Sequence, residues 1–179
     1  MRRNLEFKAQ VGVLESLERV FGENGARFVG VLTQRDTYFN VREGRLKLRE
    51  TAGKKGELIF YRRAESSSAS MESNYDIAPV ADGSTRDLLA AALGIKTVVE
   101  KTRRLLMLRN ARIHLDDVKG LGNFLEFEVV SGGESGGEGD DVADAALLST
   151  LKSYAAPYVV SEINESYSDM MLRRNLPVK

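Results

Sequence analysis

The sequence contains no cysteine among its 179 residues. That absence excludes a disulfide framework and any thiolate metal site, and it fits a reducing compartment. No apolar run is long enough to cross a bilayer as a helix. Met1-Arg2-Arg3-Asn4 leads straight into an alternating segment, not into an apolar signal-peptide region, so the expected location is cytoplasmic, with no membrane partner. Net charge is missing too, because 26 basic residues balance 26 acidic ones. Affinity for a polyanion must then come from local segregation of charge. Nor does any repeat of solenoid length occur. What remains, at 42% apolar and 29% charged residues, is a soluble globular chain, read as a single domain over residues 1–179.

What is present is alternation. In Asn4–Val11 the residues Leu5, Phe7, Ala9 and Val11 are apolar, while Asn4, Glu6, Lys8 and Gln10 are polar. Such a segment forms a strand with one apolar and one charged face. Helical spacing of Leu14, Leu17, Val20 and Phe21 predicts a helix over Leu14–Glu23. Two short strands are expected near Phe28–Gln34 and Asp36–Val41, then Arg45–Glu50, and Glu57–Arg63 after the Gly53–Gly56 turn. A polar loop at Ser66–Ser70 precedes a strand at Ser73–Pro79. A helix starting at Asp82 or Ser84 then ends at Gly94. Strands at Val98–Leu106, Arg109–Val118 and Phe124–Val130 follow, the last two joined by Gly120-Leu121-Gly122. A Gly/Ser-rich loop at Ser131–Gly139 and helices near Val142–Tyr154 and Ser166–Arg173 complete the chain.

The charged faces are segregated. Lys8, Arg45, Lys47, Arg49, Arg62, Lys101, Arg103 and Arg112 fall on polar strand faces, as do Glu6, Asp116, Glu126 and Glu128, an excess of four positive charges. A closed or nearly closed antiparallel barrel turns such faces toward a common lumen, with helices covering the apolar outside. Basic rows beside a carboxylate cluster suit a polyphosphate bound with a divalent cation. The hairpin is expected to set Asp116 opposite Glu126 and Glu128 near His114, although ion pairing of these acids with Arg103 or Arg112 is the competing explanation. His114, the single histidine, is read as a structural strand residue ahead of a proton-transfer role. Tyr38 and Tyr61 are read as packing residues, with stacking on a base as the alternative. Basic residues at alternating, inward positions without an aromatic platform disfavour nucleic acid as a partner.

In order along the chain, these pieces resemble the CYTH superfamily, the triphosphate tunnel metalloenzymes. The matching segments are Asn4-Leu5-Glu6-Phe7-Lys8, Gln34-Arg35-Asp36-Thr37-Tyr38-Phe39, Leu46-Lys47-Leu48-Arg49, Tyr61-Arg62-Arg63 and Glu100-Lys101-Thr102-Arg103. Arg112–Asp116 continuing through Gly120–Glu128, and Ser166-Tyr167-Ser168-Asp169, extend the match. The Gly-Leu-Gly-x-Phe-x-Glu segment is most similar to the class IV adenylyl cyclase branch. The resemblance implies an α+β fold, an eight-stranded antiparallel β-barrel forming a triphosphate tunnel with flanking helices. It implies Mg2+ or Mn2+ held by Glu6, Glu126 and Glu128, with Asp116 in or near that shell. Lys8, Lys47, Arg49, Arg62, Lys101, Arg103 and Arg112 would hold the phosphates, and Glu6, Lys8 and Glu126 stand as candidate catalytic residues. The implied reaction is conversion of ATP to cyclic AMP and pyrophosphate. An inorganic, nucleoside or thiamine triphosphatase is the alternative, and a non-catalytic polyphosphate-binding protein the alternative of another class. A homodimer is compatible with this reading. Asn4 departs from the family's Glu-x-Glu-x-Lys signature and supplies an oxygen without a charge, which weakens the expected metal site.

Overall fold

Strands with one apolar face need that face covered, and the computed structural model shows how the chain does it. The structure describes residues 3–63, 73–80, 83–131 and 138–175. Its strands are β1 (Arg3–Val11), β2 (Arg27–Phe39), β3 (Arg45–Thr51), β4 (Gly56–Arg63), β5 (Ser73–Val80), β6 (Ile95–Leu108), β7 (Ala111–Val118), β8 (Gly122–Ser131) and β9 (Val159–Glu162). The helices are α1 (Leu14–Glu23), α2 (Ser84–Leu93), α3 (Glu138–Ala155) and α4 (Tyr167–Arg174). The described strands join one sheet in the order β5-β4-β3-β2-β6-β7-β8-β1-β9, and each neighbouring pair is antiparallel. Among the described residues the sheet curls without closing, since β5 and β9 remain its two edges.

The alternation of β1 works as expected. Phe7, Ala9 and Val11 join Ile113, Leu115, Leu125, Phe127 and Val129 in a core covered by α1 and α3. Phe127 anchors it, stacking on Phe7 and meeting Phe21 of α1 edge-on, each at 5.6 Å between ring centres. Burial of such a face is the main force holding the helices to the sheet. The opposite face of the same strands carries the charges. A second, smaller cluster of Tyr38, Val99, Val118, Phe124 and Tyr167 seats α4 against that charged side.

Several elements differ from the sequence reading. The two strands expected at Phe28–Gln34 and Asp36–Val41 are one strand, β2, because Arg35 continues the alternation and the long strand β6 pairs across the expected break, with Glu100 opposite Arg35. β9 is an added ninth strand, four residues long, that pairs with β1. α3 starts at Glu138, ahead of the expected Val142. The expected loops at Ser66–Ser70 and, for residues 132–137, Ser131–Gly139 lie outside the described residues, as does Asp82.

Candidate active site

The hairpin β7–β8 and its neighbours β1 and β6 build one wall. Gly120 and Gly122 take φ values of +83° and +103°, a backbone conformation that favours glycine, and close the turn between β7 and β8. The resulting register sets Val118 opposite Gly122, Asp116 opposite Phe124, His114 opposite Glu126 and Arg112 opposite Glu128. This corrects the expected Asp116–Glu126 pairing by two residues along the strand. A two-residue offset preserves the face, so the acids still point to the charged side. Across β1, Lys8 lies opposite Glu126 and Glu6 opposite Glu128.

Together these faces and β2–β5 enclose a cavity of about 420 Å3. Glu6, Lys8, Lys47, Arg49, Lys101, Arg103, Arg112, Glu126 and Glu128 all line it, as do Asp36 and Tyr167. On this lining six basic residues face four acids, an excess of two positive charges in place of the expected four. Two of the expected basic residues are elsewhere. Arg45 turns to α4, where it donates to Asp169 Oδ2 at 2.8 Å and also to Ser166. Arg62 has a side chain 69% exposed, near Glu43 and beside the Phe60 ring. Its strand neighbour Tyr61 is the one that lines the cavity, and alternation sends Arg62 to the opposite face. The Asn4 backbone pairs with Val130, but its side chain lies outside the described residues.

The metal-type donors are Glu126, Glu128 and His114, each offering one atom, all within 4.8 Å of one another. His114 Nδ1 is buried without a hydrogen-bond partner, 3.5 Å from Glu126 and 3.9 Å from Glu128. Two carboxylates converging on an unpaired imidazole nitrogen fit a cation of the Mg2+ or Mn2+ class, the nitrogen suiting Mn2+ better. Burial acts to raise the Glu126 carboxyl, yet Lys8 at 3.1 Å, then the neighbouring His114, then Arg103 at 2.8 Å hold it well below its ordinary value. Burial likewise opposes ionisation of Glu128 and is outweighed, so both acids carry charge at neutral pH.

Asp116 is placed differently from its expected position in this cluster. It is fully buried and takes two bonds from Arg103, Nε to Oδ1 and Nη2 to Oδ2, each 2.7 Å. The same Arg103 Nη2 also reaches Glu126, so Asp116 stands behind the arginine that touches the acid cluster. Tyr167 donates its hydroxyl to Asp116 at 3.0 Å. Its ring lies 4.4 Å from Lys8 Nζ and 5.2 Å from Lys101 Nζ. Burial and the nearby Asp116 and Glu126 charges raise the Tyr167 hydroxyl well above its usual value, keeping it a donor.

On the far side Asp36 collects three cations. Arg49 donates Nε and Nη2 at 2.8 Å each, Lys47 donates at 2.9 Å, and Lys101 Nζ lies 3.7 Å away. Burial would raise the Asp36 carboxyl, but Arg49, Lys47 and Lys101 overcome it and hold it well below its ordinary value. Lys101 is pushed down to about 7 by burial first and by Arg103 next, against the pull of Asp36. Sequence reasoning misses Asp36 because the expected strand break falls just before it, whereas it lies inside β2. Its place between Gln34 and Tyr38 on the β2 face, opposite basic strands, was the available signal. Tyr167 was missed as a site residue because only the fold brings a C-terminal helix to the cavity. Ser166 and Asp169, which form its capping box, mark that helix start in the sequence.

Three solved structures illustrate the fold likeness. The PH1012 protein of Pyrococcus horikoshii superposes with a TM-score of 0.75 at 21% identity, over 94% of this chain and 98% of that one. A Vibrio parahaemolyticus protein provisionally named adenylate cyclase gives 0.70 at 16%, over 94% and 97%. HpAC1 of Hippeastrum, provisionally named an adenylyl cyclase and described with a dominant triphosphatase activity, gives 0.64 at 14%, over 98% and 97%. Among curated proteins none matches the chain. The sequence model of the CYTH domain matches residues 2–153, and the chain therefore belongs to the CYTH domain family.

Proposed function

We propose that the cavity binds a nucleoside triphosphate with a divalent cation and cyclises it, taking ATP to cyclic AMP and pyrophosphate. The observation that carries this reading is the meeting, in one cavity, of the Glu126–Glu128–His114 cluster with the basic rows of β3 and β6. Glu126, Glu128 and His114, with Glu6 beside them, would hold Mg2+ or Mn2+, which when bound supplies charge neutralisation of phosphate oxygens. Arg49 and Lys47 bind phosphate oxygens, the guanidinium as a planar fork and the ammonium as a point charge. Arg103 and Arg112, beside the acids, hold the phosphates nearest the cluster. Phosphoryl chemistry needs little beyond such positioning and electrostatic stabilisation.

Leu32, Leu105, Ile59, Ile77 and the rings of Tyr38 and Tyr61 also line the cavity and give a nucleoside an apolar wall, which inorganic tripolyphosphate would not use. The ribose 3′-oxygen then attacks the α-phosphorus as the bond to the leaving pyrophosphate breaks. Lys101, at about 7, is a cavity group able to exchange a proton near neutral pH. Hydrolysis of the triphosphate is the second reading, favoured by the fold likeness to HpAC1 and its described triphosphatase activity. Incubation with ATP and with tripolyphosphate under Mg2+ or Mn2+, followed by product separation, decides between them. Cyclic AMP with pyrophosphate is expected. ADP or orthophosphate without cyclic AMP supports hydrolysis, and no product from either substrate overturns both.

A further inference from the structure

Three cations of the cavity share one acid, and the sharing is asymmetric. Asp36 sits at the base, with its side chain 2% exposed, while Lys47 and Arg49 keep 12% and 17% of theirs open. Asp36 Oδ1 takes the Arg49 Nε–H, and Oδ2 takes Arg49 Nη2 and Lys47 Nζ with Lys101 close by. A planar fork plus ammonium groups is the donor set that a phosphoryl group recruits. Asp36 therefore already fills, from below, part of the coordination that these cations would offer a phosphate from above. An incoming phosphate meets cations that are oriented but partly neutralised.

We propose that Asp36 is a resident counter-anion, a positioning residue that aims Lys47, Arg49 and Lys101 at a phosphate chain and limits the affinity of that subsite so that the polyphosphate product can leave. The inference rests on the reading above that the cavity takes a phosphate chain. It opposes a purely structural role in a way that experiment can separate. If Asp36 only braced the wall, removing its charge would let the cations scatter, and phosphate ligands would bind more weakly. If it is a counter-anion, removing its charge leaves cations uncompensated beside the ligand, and phosphate ligands bind more tightly. A unit charge at contact range inside a cavity outweighs weakening of the three hydrogen bonds that position Arg49 and Lys47.

The test is calorimetric titration of wild type, Asp36→Asn and Asp36→Glu with pyrophosphate and with tripolyphosphate, in Mg2+ at pH 5.5, where Lys101 holds its proton in the wild-type protein. Asp36→Asn is expected to bind pyrophosphate at least tenfold more tightly and, in turnover, to lower KM and kcat together with stronger product inhibition. Asp36→Glu, which keeps the charge, is expected within about threefold of wild-type affinity. A folded Asp36→Asn protein with unchanged or weaker affinity overturns the inference. Should that variant not fold, Asp36→Ser is titrated as the second charge-removing variant: tighter pyrophosphate binding than wild type supports the proposal, and unchanged or weaker binding overturns it. Wild-type protein that binds neither ligand overturns the functional reading and this inference with it, whereas binding by wild type without tightening in Asp36→Asn overturns the inference alone.

Discussion

Replacing Asp116 with asparagine preserves shape and removes one charge from the interior. The carboxylate is completely buried and holds Arg103 by two 2.7 Å bonds, so the variant leaves a buried guanidinium short of its main partner. Removing one member of a buried ion pair costs about 3–5 kcal/mol. Arg103 keeps Glu126 at 2.8 Å, which places the expected loss at the lower end, about 3 kcal/mol. For a chain of this size that lowers Tm by roughly 6–12 °C. The pH dependence has a definite sign. Burial raises the Asp116 carboxyl, Arg103 and Lys101 more than compensate, and the folded value lies below the ordinary 3.8. Its stabilisation is therefore fully present above about pH 4 and is lost as pH falls through the lower folded value. Denaturant unfolding of both proteins from pH 8 to pH 3 is the assay, with Mn2+ affinity measured alongside. The gap should stay constant down to about pH 4 and then shrink, and Mn2+ affinity should fall much less than in Glu126→Gln. A loss under about 1 kcal/mol at pH 7, or Mn2+ affinity abolished as completely as in Glu126→Gln, would refute the reasoning that places Asp116 behind Arg103.

Lys101 titrates at about 7 folded against 10.5 ordinarily, so the unfolded chain holds the extra proton between those values. Its unfavourable contribution, roughly 5 kcal/mol when charged, is relieved as pH rises through that window. Lys101→Met should lose the relative gain in stability between pH 6 and pH 10, and equal pH slopes in both proteins would contradict this. Arg62→Ala should leave tripolyphosphate affinity within about twofold of wild type, as surface charges far from a ligand contribute little, and a tenfold loss on titration would bring Arg62 back to the site. Phe127→Ala, which empties the ring contacts with Phe7 and Phe21, should cost about 3–5 kcal/mol on chemical unfolding, and a cost under 1 kcal/mol would mean the core collapses around the gap.

How much of this was legible in the sequence differs from strand to strand. β1 reveals both of its faces, because strict alternation has period two and the Leu5–Val11 row must be buried. The same logic places Lys47, Arg49, Lys101 and Arg103 in the cavity. It fails for Arg62, where Glu57–Arg63 alternates poorly: Leu58, Ile59, Phe60 and Tyr61 are all apolar or aromatic, and the parity cannot be read from them. Register was equally out of reach, because the β7–β8 turn can close two residues earlier or later without changing the face of any side chain. Partners are harder still. The sequence offers Arg103 as a partner for Asp116 only as the competing explanation, and the structure bears that pairing out; that Asp36 gathers three cations depends on which strands lie side by side, and Tyr167 reaches the cavity only through the packing of α4.

The central claim is that one cavity holds a triphosphate chain and its cation together. Calorimetric titration of α,β-methylene ATP into wild type, with Mn2+ and then with EDTA, tests it most directly, with Arg49→Ala as the comparison. The account predicts binding that strengthens with Mn2+ and falls at least tenfold in Arg49→Ala, as expected for loss of a charge-assisted bidentate contact. No binding to the wild type, or equal affinity in Arg49→Ala, would contradict it.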